Sequence, residues 1–164
     1  MVANASSIPV WQPTKIRREV RRLPTGTQAV EVMTDIGPAF AKFLGNSKGP
    51  HVLAAELVGT RLAALLGLET LDHAVIDYDG VPEIALAEGR MAQPGPAWLT
   101  RKEERVDWSG EREDLDLLCN PADVAGLVVL DTWTRNCDRY CPAKQPPRVN
   151  RNNVFFSREG APEG

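Results

Sequence analysis

Between Lys15 and Leu44, two clusters of turn residues separate three stretches of strand character, and this alternation commits the start of the chain to an antiparallel sheet. Lys15 to Leu23 is compatible with a strand, Pro24 to Gly26 supply turn chemistry, and Val30 and Val32 mark an alternating stretch from Ala29 to Met33. Asp35 to Pro38 turns the chain again into Ala39-Phe40-Ala41-Lys42-Phe43-Leu44, where a period of two puts Phe40, Lys42 and Leu44 on one face. After the loop GNSKGP, residues 51–66 place Leu53, Leu57 and Leu65, with Val58 and Leu62 beside them, on a helical stripe ended by Gly67. Leu71 to Tyr78 reads as a fourth strand, and the Asp79-Gly80 turn leads into a fifth at Val81 to Leu86. The expected class is α+β, an antiparallel sheet carrying one helix.

Residues 89–110, rich in Gly, Pro, Trp and charge, read as an ordered connection. Residues 111–164 then form a mainly helical part, in which Asn120 caps a helix with Pro121 at its first position. That helix runs through Val124, Leu127, Val128 and Leu130 to about Arg135, and its apolar density predicts burial. Residues 1–14 are left as an N-terminal extension. The 164 residues suffice for one domain or a small pair of lobes.

Charge narrows the function classes. A net charge of −3 argues against a protein that neutralises many nucleic-acid phosphates. The seven basic and three acidic residues of 1–50 read as a solvated strand face and specify no partner. No apolar run approaches the roughly 20 residues that a bilayer span requires, and the start lacks the pattern of a secretory signal, so the cytoplasm is the expected compartment. Cys137 and Cys141 have metal-ligand spacing, but the further ligands of a structural zinc site are not visible in the sequence. Neither a nucleophile elbow nor a P-loop is present.

The chemistry-bearing stretch is VLDTWTRNCDRYCPAKQPPRVNRNNVFFS, a buried helix, a polar loop and an apolar strand. A loop with Asn136, Asp138, Arg139 and Asn153 between rigid elements can offer a carboxylate and amide oxygens to a cavity mouth. Phosphoryl transfer needs a carboxylate for the attacking hydroxyl, a carboxamide oxygen for Mg²⁺ and a cation for the nucleotide phosphates. Asp138, Asn153 and Lys42 are the candidates, with Asp131 expected to tie the loop in place.

The pattern D-x-x-x-x-N-x-D-R, followed by an asparagine before an apolar strand, resembles the catalytic loop of HipA-like kinases and their phosphatidylinositol 3/4-kinase-like relatives. EVRRLPTGTQAVEVMTDIGPAFAKFLGNSKGPHVLAAELVGTRLAALLGLE resembles the small lobe of the same group, so the likeness covers most of residues 16–157. The resemblance implies a kinase-like N-lobe at 15–88 and a partial C-lobe carrying the catalytic loop. It implies ATP and Mg²⁺ as cofactors and a hydroxyl acceptor, on a protein Ser or Thr, as substrate. Residue by residue, it implies Lys42 on the nucleotide phosphates, Glu56 as its helix partner and Gly26 in the turn over ATP. Asp138 would be the catalytic base and Asn153 the metal-binding amide.

Two departures bear on activity. Fourteen residues separate Asp138 from Asn153, where about four are usual, which leaves Asn150 and Asn152 as alternatives for the ligand. No aspartate follows Asp138, so the second metal-binding carboxylate has no counterpart in these residues. Residues 154–157 are expected to form a lone edge strand that a chain continuation or a partner would complete. The alternative expectation is an inactive kinase-like module that binds nucleotide or another protein. For either reading, Lys42 and Asp138 are expected to look into one cleft.

Overall fold

A computed structural model describes residues 11–24, 26, 28–141, 148–150 and 155–157. Its chain separates into two compact units, Met1–Val58 with Leu71–Lys102, and Gly59–Thr70 with Glu103–Gly164. The architecture is α+β, with a five-stranded antiparallel sheet and three α-helices among the described residues.

In the first unit, β1 (Ile16–Arg22), β2 (Val30–Thr34) and β3 (Gly37–Leu44) form a meander through the expected turns. The tight turn between β2 and β3 is held by Thr34, whose Oγ1 donates to Gly37 O at 2.7 Å and accepts from Ile36 N at 3.2 Å. On β3, the alternation of the sequence becomes an alternation of burial: Ala39, Ala41 and Phe43 are fully buried, whereas Phe40, Lys42 and Leu44 are half-buried on the other face. The core around Phe43 draws Ile16, Val30, Val32, Ile76, Tyr78 and Leu99 from every strand of the sheet. At the outer edge, β1 exposes Arg17, Arg18, Arg21 and Arg22 and carries two register irregularities, both of which discourage pairing with another strand.

The fifth strand differs from expectation. The sheet order is β1-β2-β3-β5-β4, with β4 at His73–Tyr78 and β5 at Gln93–Arg101 in a central position. Residues 81–86 contribute Ile84 and Leu86 to the core without joining the sheet, and residues 93–101, expected within a connection, take the place between β3 and β4. Pro94 and Pro96 argue against a central strand because proline lacks an N–H. The register resolves the conflict: between Lys42↔Trp98 and Leu44↔Gln93, two steps along β3 correspond to five along β5, so the proline stretch bulges away from β3. It stays aligned with β4 through Asp77↔Pro96 and Tyr78↔Gly95.

Glu31 is buried on β2, where its carboxylate accepts from Lys102 Nζ and Arg21 Nε, each at 2.6 Å. The Lys102 hydrogen bond, helped by Arg21 and opposed by burial, holds Glu31 below the ordinary carboxylate value of 4.5. A lowered folded-state value means stability that is present above the unfolded value and lost as pH falls through the folded one. Glu31→Gln is therefore expected to cost about 2 kcal/mol at neutral pH. Urea midpoints at neutral and acid pH should show a smaller acid loss for the variant than for the parent.

Helix α1 (His51–Leu65) ends in a Schellman arrangement, with Leu68 N donating to Ala63 O, Gly67 N to Ala64 O, and Gly67 at φ +76°. In the second unit, α2 (Arg112–Asp116) precedes α3 (Pro121–Thr134). Asn120 stands at the N-cap, but its side chain bonds Asp123 Oδ2 at 2.8 Å and caps no backbone N–H. Gly126 lets Leu68 approach α3, since a Cβ there would lie 2.6 Å from Leu68 Cδ2. The expected burial of α3 is not found: Leu130 is its buried residue, and Val128, Val129 and Trp133 are exposed. Consecutive apolar residues at 128–130 spread around the helix, so packing along one stripe cannot cover them all. Nor is the last strand alone. β9 (Phe155–Ser157) pairs antiparallel with β6 (Arg105–Asp107), a partner too short and too charged to read as a strand from sequence.

Candidate functional site

Lys42 owes its position to β3. Its neighbours Ala41 and Phe43 are drawn into the core, so the pleat turns Lys42 to the opposite face, directly across from Trp98 of β5. There Lys42 Nζ donates to Glu56 Oε1 of α1 in a short ion pair. The side chains are 19% and 32% exposed, a partly desolvated pair still open to solvent.

Two residues overlooked in the sequence hold the loop between β3 and α1. Asn46 is buried: its Nδ2 donates to Phe43 O at 2.8 Å, and its Oδ1 accepts from Lys48 N at 2.9 Å. Gln28, also buried and at φ +53°, donates from Nε2 to Ser47 Oγ at 2.9 Å and accepts from Ser47 N at 3.3 Å. These bonds fix the start of α1 relative to β3, and hence the reach from Lys42 to Glu56. An asparagine in GNSKG hints at such a turn. Nothing local marks Gln28, whose partner lies 19 residues away.

Gly26 is exposed in the β1–β2 turn, outside the left-handed region, and a Cβ there would meet nothing within 4 Å. No steric demand for glycine exists at this position, and its neighbours Thr25 and Thr27 lie outside the described residues.

In the second unit, α3 ends with Arg135 in the left-handed conformation. Asn136 N then donates to Asp131 O at 2.8 Å, and Asn136 Nδ2 to Asp131 Oδ1 at 3.0 Å. Asp131 Oδ1 also takes an ion pair from Arg139 Nη1, so this half-buried carboxylate ties the helix end to the loop on both sides of Cys137-Asp138. Asn136 Oδ1 accepts from Asp138 N at 3.2 Å, while Asp138 itself is exposed. Asp138 thus stands in the open on a loop whose backbone is pinned at both sides.

Beyond Arg139 the chain forms a hairpin. β7 (Tyr140–Cys141) pairs with β8 (Arg148–Val149), and Asn150 N donates to Arg139 O at 2.8 Å. The long stretch after Asp138 therefore leaves and returns at one point. Asn152 and Asn153 lie outside the described residues. Lys42, Glu56 and Gly26 belong to the first unit and Asp138 to the second.

Lys42 Nζ has three donors, of which Glu56 takes one, so the group can also hold a phosphate. Among the described residues, no three His, Cys, Asp or Glu side chains cluster as a ready metal cage. A magnesium ion that arrives with nucleotide phosphates asks for only one or two protein ligands. No helix among the described residues is long and apolar enough to cross a membrane. Comparisons of the chain with protein-family models, curated proteins and solved structures find no match.

Proposed function

We propose that this protein is a HipA-like, ATP-dependent phosphotransferase that moves the γ-phosphoryl group to a hydroxyl acceptor, a protein Ser or Thr by resemblance. The observation that carries this reading is the Lys42–Glu56 ion pair, which joins a strand lysine to a glutamate of the following helix. Lys42 would hold nucleotide phosphates, with Glu56 keeping its ammonium in place. Asp138 would accept the hydroxyl proton on a loop organised by Asp131. Magnesium supplies charge neutralisation at the transferred phosphate when bound.

The hairpin supports Asn153 as the metal-binding amide. Removing its ten residues, 140–149, from the fourteen between Asp138 and Asn153 leaves Arg139, Asn150, Arg151 and Asn152. Four intervening residues is the spacing of a kinase catalytic loop. The protein's compartment is proposed to be the cytoplasm, where ATP is abundant.

The second reading is nucleotide binding without transfer, with Lys42 and Glu56 keeping the same phosphate-holding role. Protein mixed with Mg-ATP, followed by labelled-phosphate incorporation and by thermal shift, separates the two. Transfer supports the enzyme, and a shift without transfer supports the binding module. Lys42→Met is expected to change the melting midpoint of the nucleotide-free protein little, because a pair this exposed contributes at most about 1 kcal/mol. The same variant should lose most of the nucleotide-dependent shift. A shift equal to that of the parent would remove Lys42 from the site.

A further inference from the structure

The two edges of the five-stranded sheet are built differently. The β1 edge carries four arginines and two register irregularities, features that discourage pairing with another chain. The opposite edge is β4, which pairs with β5 through six consecutive residues, His73 to Tyr78, with no irregularity and no proline. Val75 is 54% exposed on it, and among the described residues no strand pairs with its outer side.

The register shows which backbone groups this edge offers. In an antiparallel ladder, alternate residues of a strand direct both N–H and C=O to the same neighbour. Arg101 N donates to Asp72 O at 2.8 Å, in step with Ala74↔Leu99 and Ile76↔Ala97, so the even-numbered residues face β5. Pro96, which has no N–H, stands opposite Asp77, in keeping with odd positions that face away from β5. His73, Val75 and Asp77 therefore turn their backbone donors and acceptors to the open side, and their side chains share one face of the sheet.

We propose that β4 is a self-association edge, pairing antiparallel with β4 of a second copy of this chain about a two-fold axis at Val75. The sequence HAVIDY is complementary to itself in that register. Val75 meets its own symmetry mate, and each Asp77 carboxylate stands opposite a His73 ring of the other copy, which can donate to it or, when protonated, pair with it. All three outward residues then exchange backbone hydrogen bonds. Any other antiparallel register leaves at least one of the three without a strand partner, and an axis at either end would set two imidazoles or two carboxylates against each other. The second copy is thus the occupant that matches this edge in backbone parity, in apolar contact and in charge.

Sedimentation equilibrium of the full chain over a concentration series is expected to show a reversible monomer–dimer equilibrium. Val75→Lys, at an exposed position, brings two ammonium groups together at the axis and should abolish the dimer. Asp77→Lys alters two cross-strand pairs at once and should weaken association about tenfold. Hydrogen exchange of the parent chain at low and high protein concentration locates the contact without any variant: the amides of residues 73, 75 and 77 should slow on association, whereas those of 74, 76 and 78 are protected at both concentrations. A chain that stays monomeric would overturn the proposal and leave the edge to a different protein. A dimer unaffected by Val75→Lys or by Asp77→Lys, or one that slows exchange elsewhere and not at residues 73, 75 and 77, would overturn it as well.

Discussion

Asp138→Asn is expected to lower phosphoryl transfer from Mg-ATP by about a thousandfold, within the range that a positioned general base contributes. The reasoning is local. An amide keeps the size and polarity of the side chain but cannot take the hydroxyl proton, and the Asp138 backbone N–H still donates to Asn136. The loop should thus keep its shape, held by Asp131 through Asn136 and Arg139. The nucleotide-dependent thermal shift should survive, because the phosphate-holding role is assigned to Lys42. Rates and shifts measured together decide the matter: transfer retained in Asp138→Asn would remove Asp138 as the base, and joint loss of transfer and shift would make it a binding or folding residue.

Phe43→Ala is expected to produce the largest loss of stability, about 4 kcal/mol. Phe43 is among the largest fully buried side chains, and its ring packs against Tyr78 in a tilted arrangement, with centroids 5.0 Å apart and planes at 59°. Tyr78 is itself anchored by its hydroxyl, which donates to Pro82 O at 2.6 Å, and burial raises its ionisation above the ordinary value of 10.0. With the tyrosine tethered, the core cannot easily collapse into the space left by the phenyl ring. Asn46 also donates to the backbone carbonyl of residue 43, so the same site supports the loop into α1. Urea unfolding should show a lowered midpoint at unchanged slope; a loss below about 1 kcal/mol would mean that the core closes around the gap.

Different parts of the molecule were legible to different degrees. The meander and α1 follow from local patterns: turn residues at 24–26 and 35–38, alternation at 39–44, and glycine at 67. The strand at 93–101 was hidden by Pro94 and Pro96, which are tolerated only because β5 bulges off β3 at that point. Residues 81–86 carry a pattern a strand would share, yet Ile84 and Leu86 are buried in the core without a place in the sheet. An apolar pattern states that a face is buried and leaves open what buries it. Sequence distance also hides that Arg139 and Asn150 are neighbours: the pairing of Tyr140 with Val149 brings them together, and no local signal announces so short a ladder.

From the sequence alone came the faces. A period of two sets Lys42 opposite Ala41 and Phe43, and no tertiary contact is needed to know that an ammonium and a phenyl ring on adjacent strand residues point apart. Tertiary structure decided the partners: Trp98 beside Lys42, Glu56 at its ammonium, and Gln28 against Ser47. Side-chain direction is a property of neighbouring backbone dihedrals, whereas hydrogen-bond and ion-pair partners depend on which distant segments the burial of apolar surface brings together.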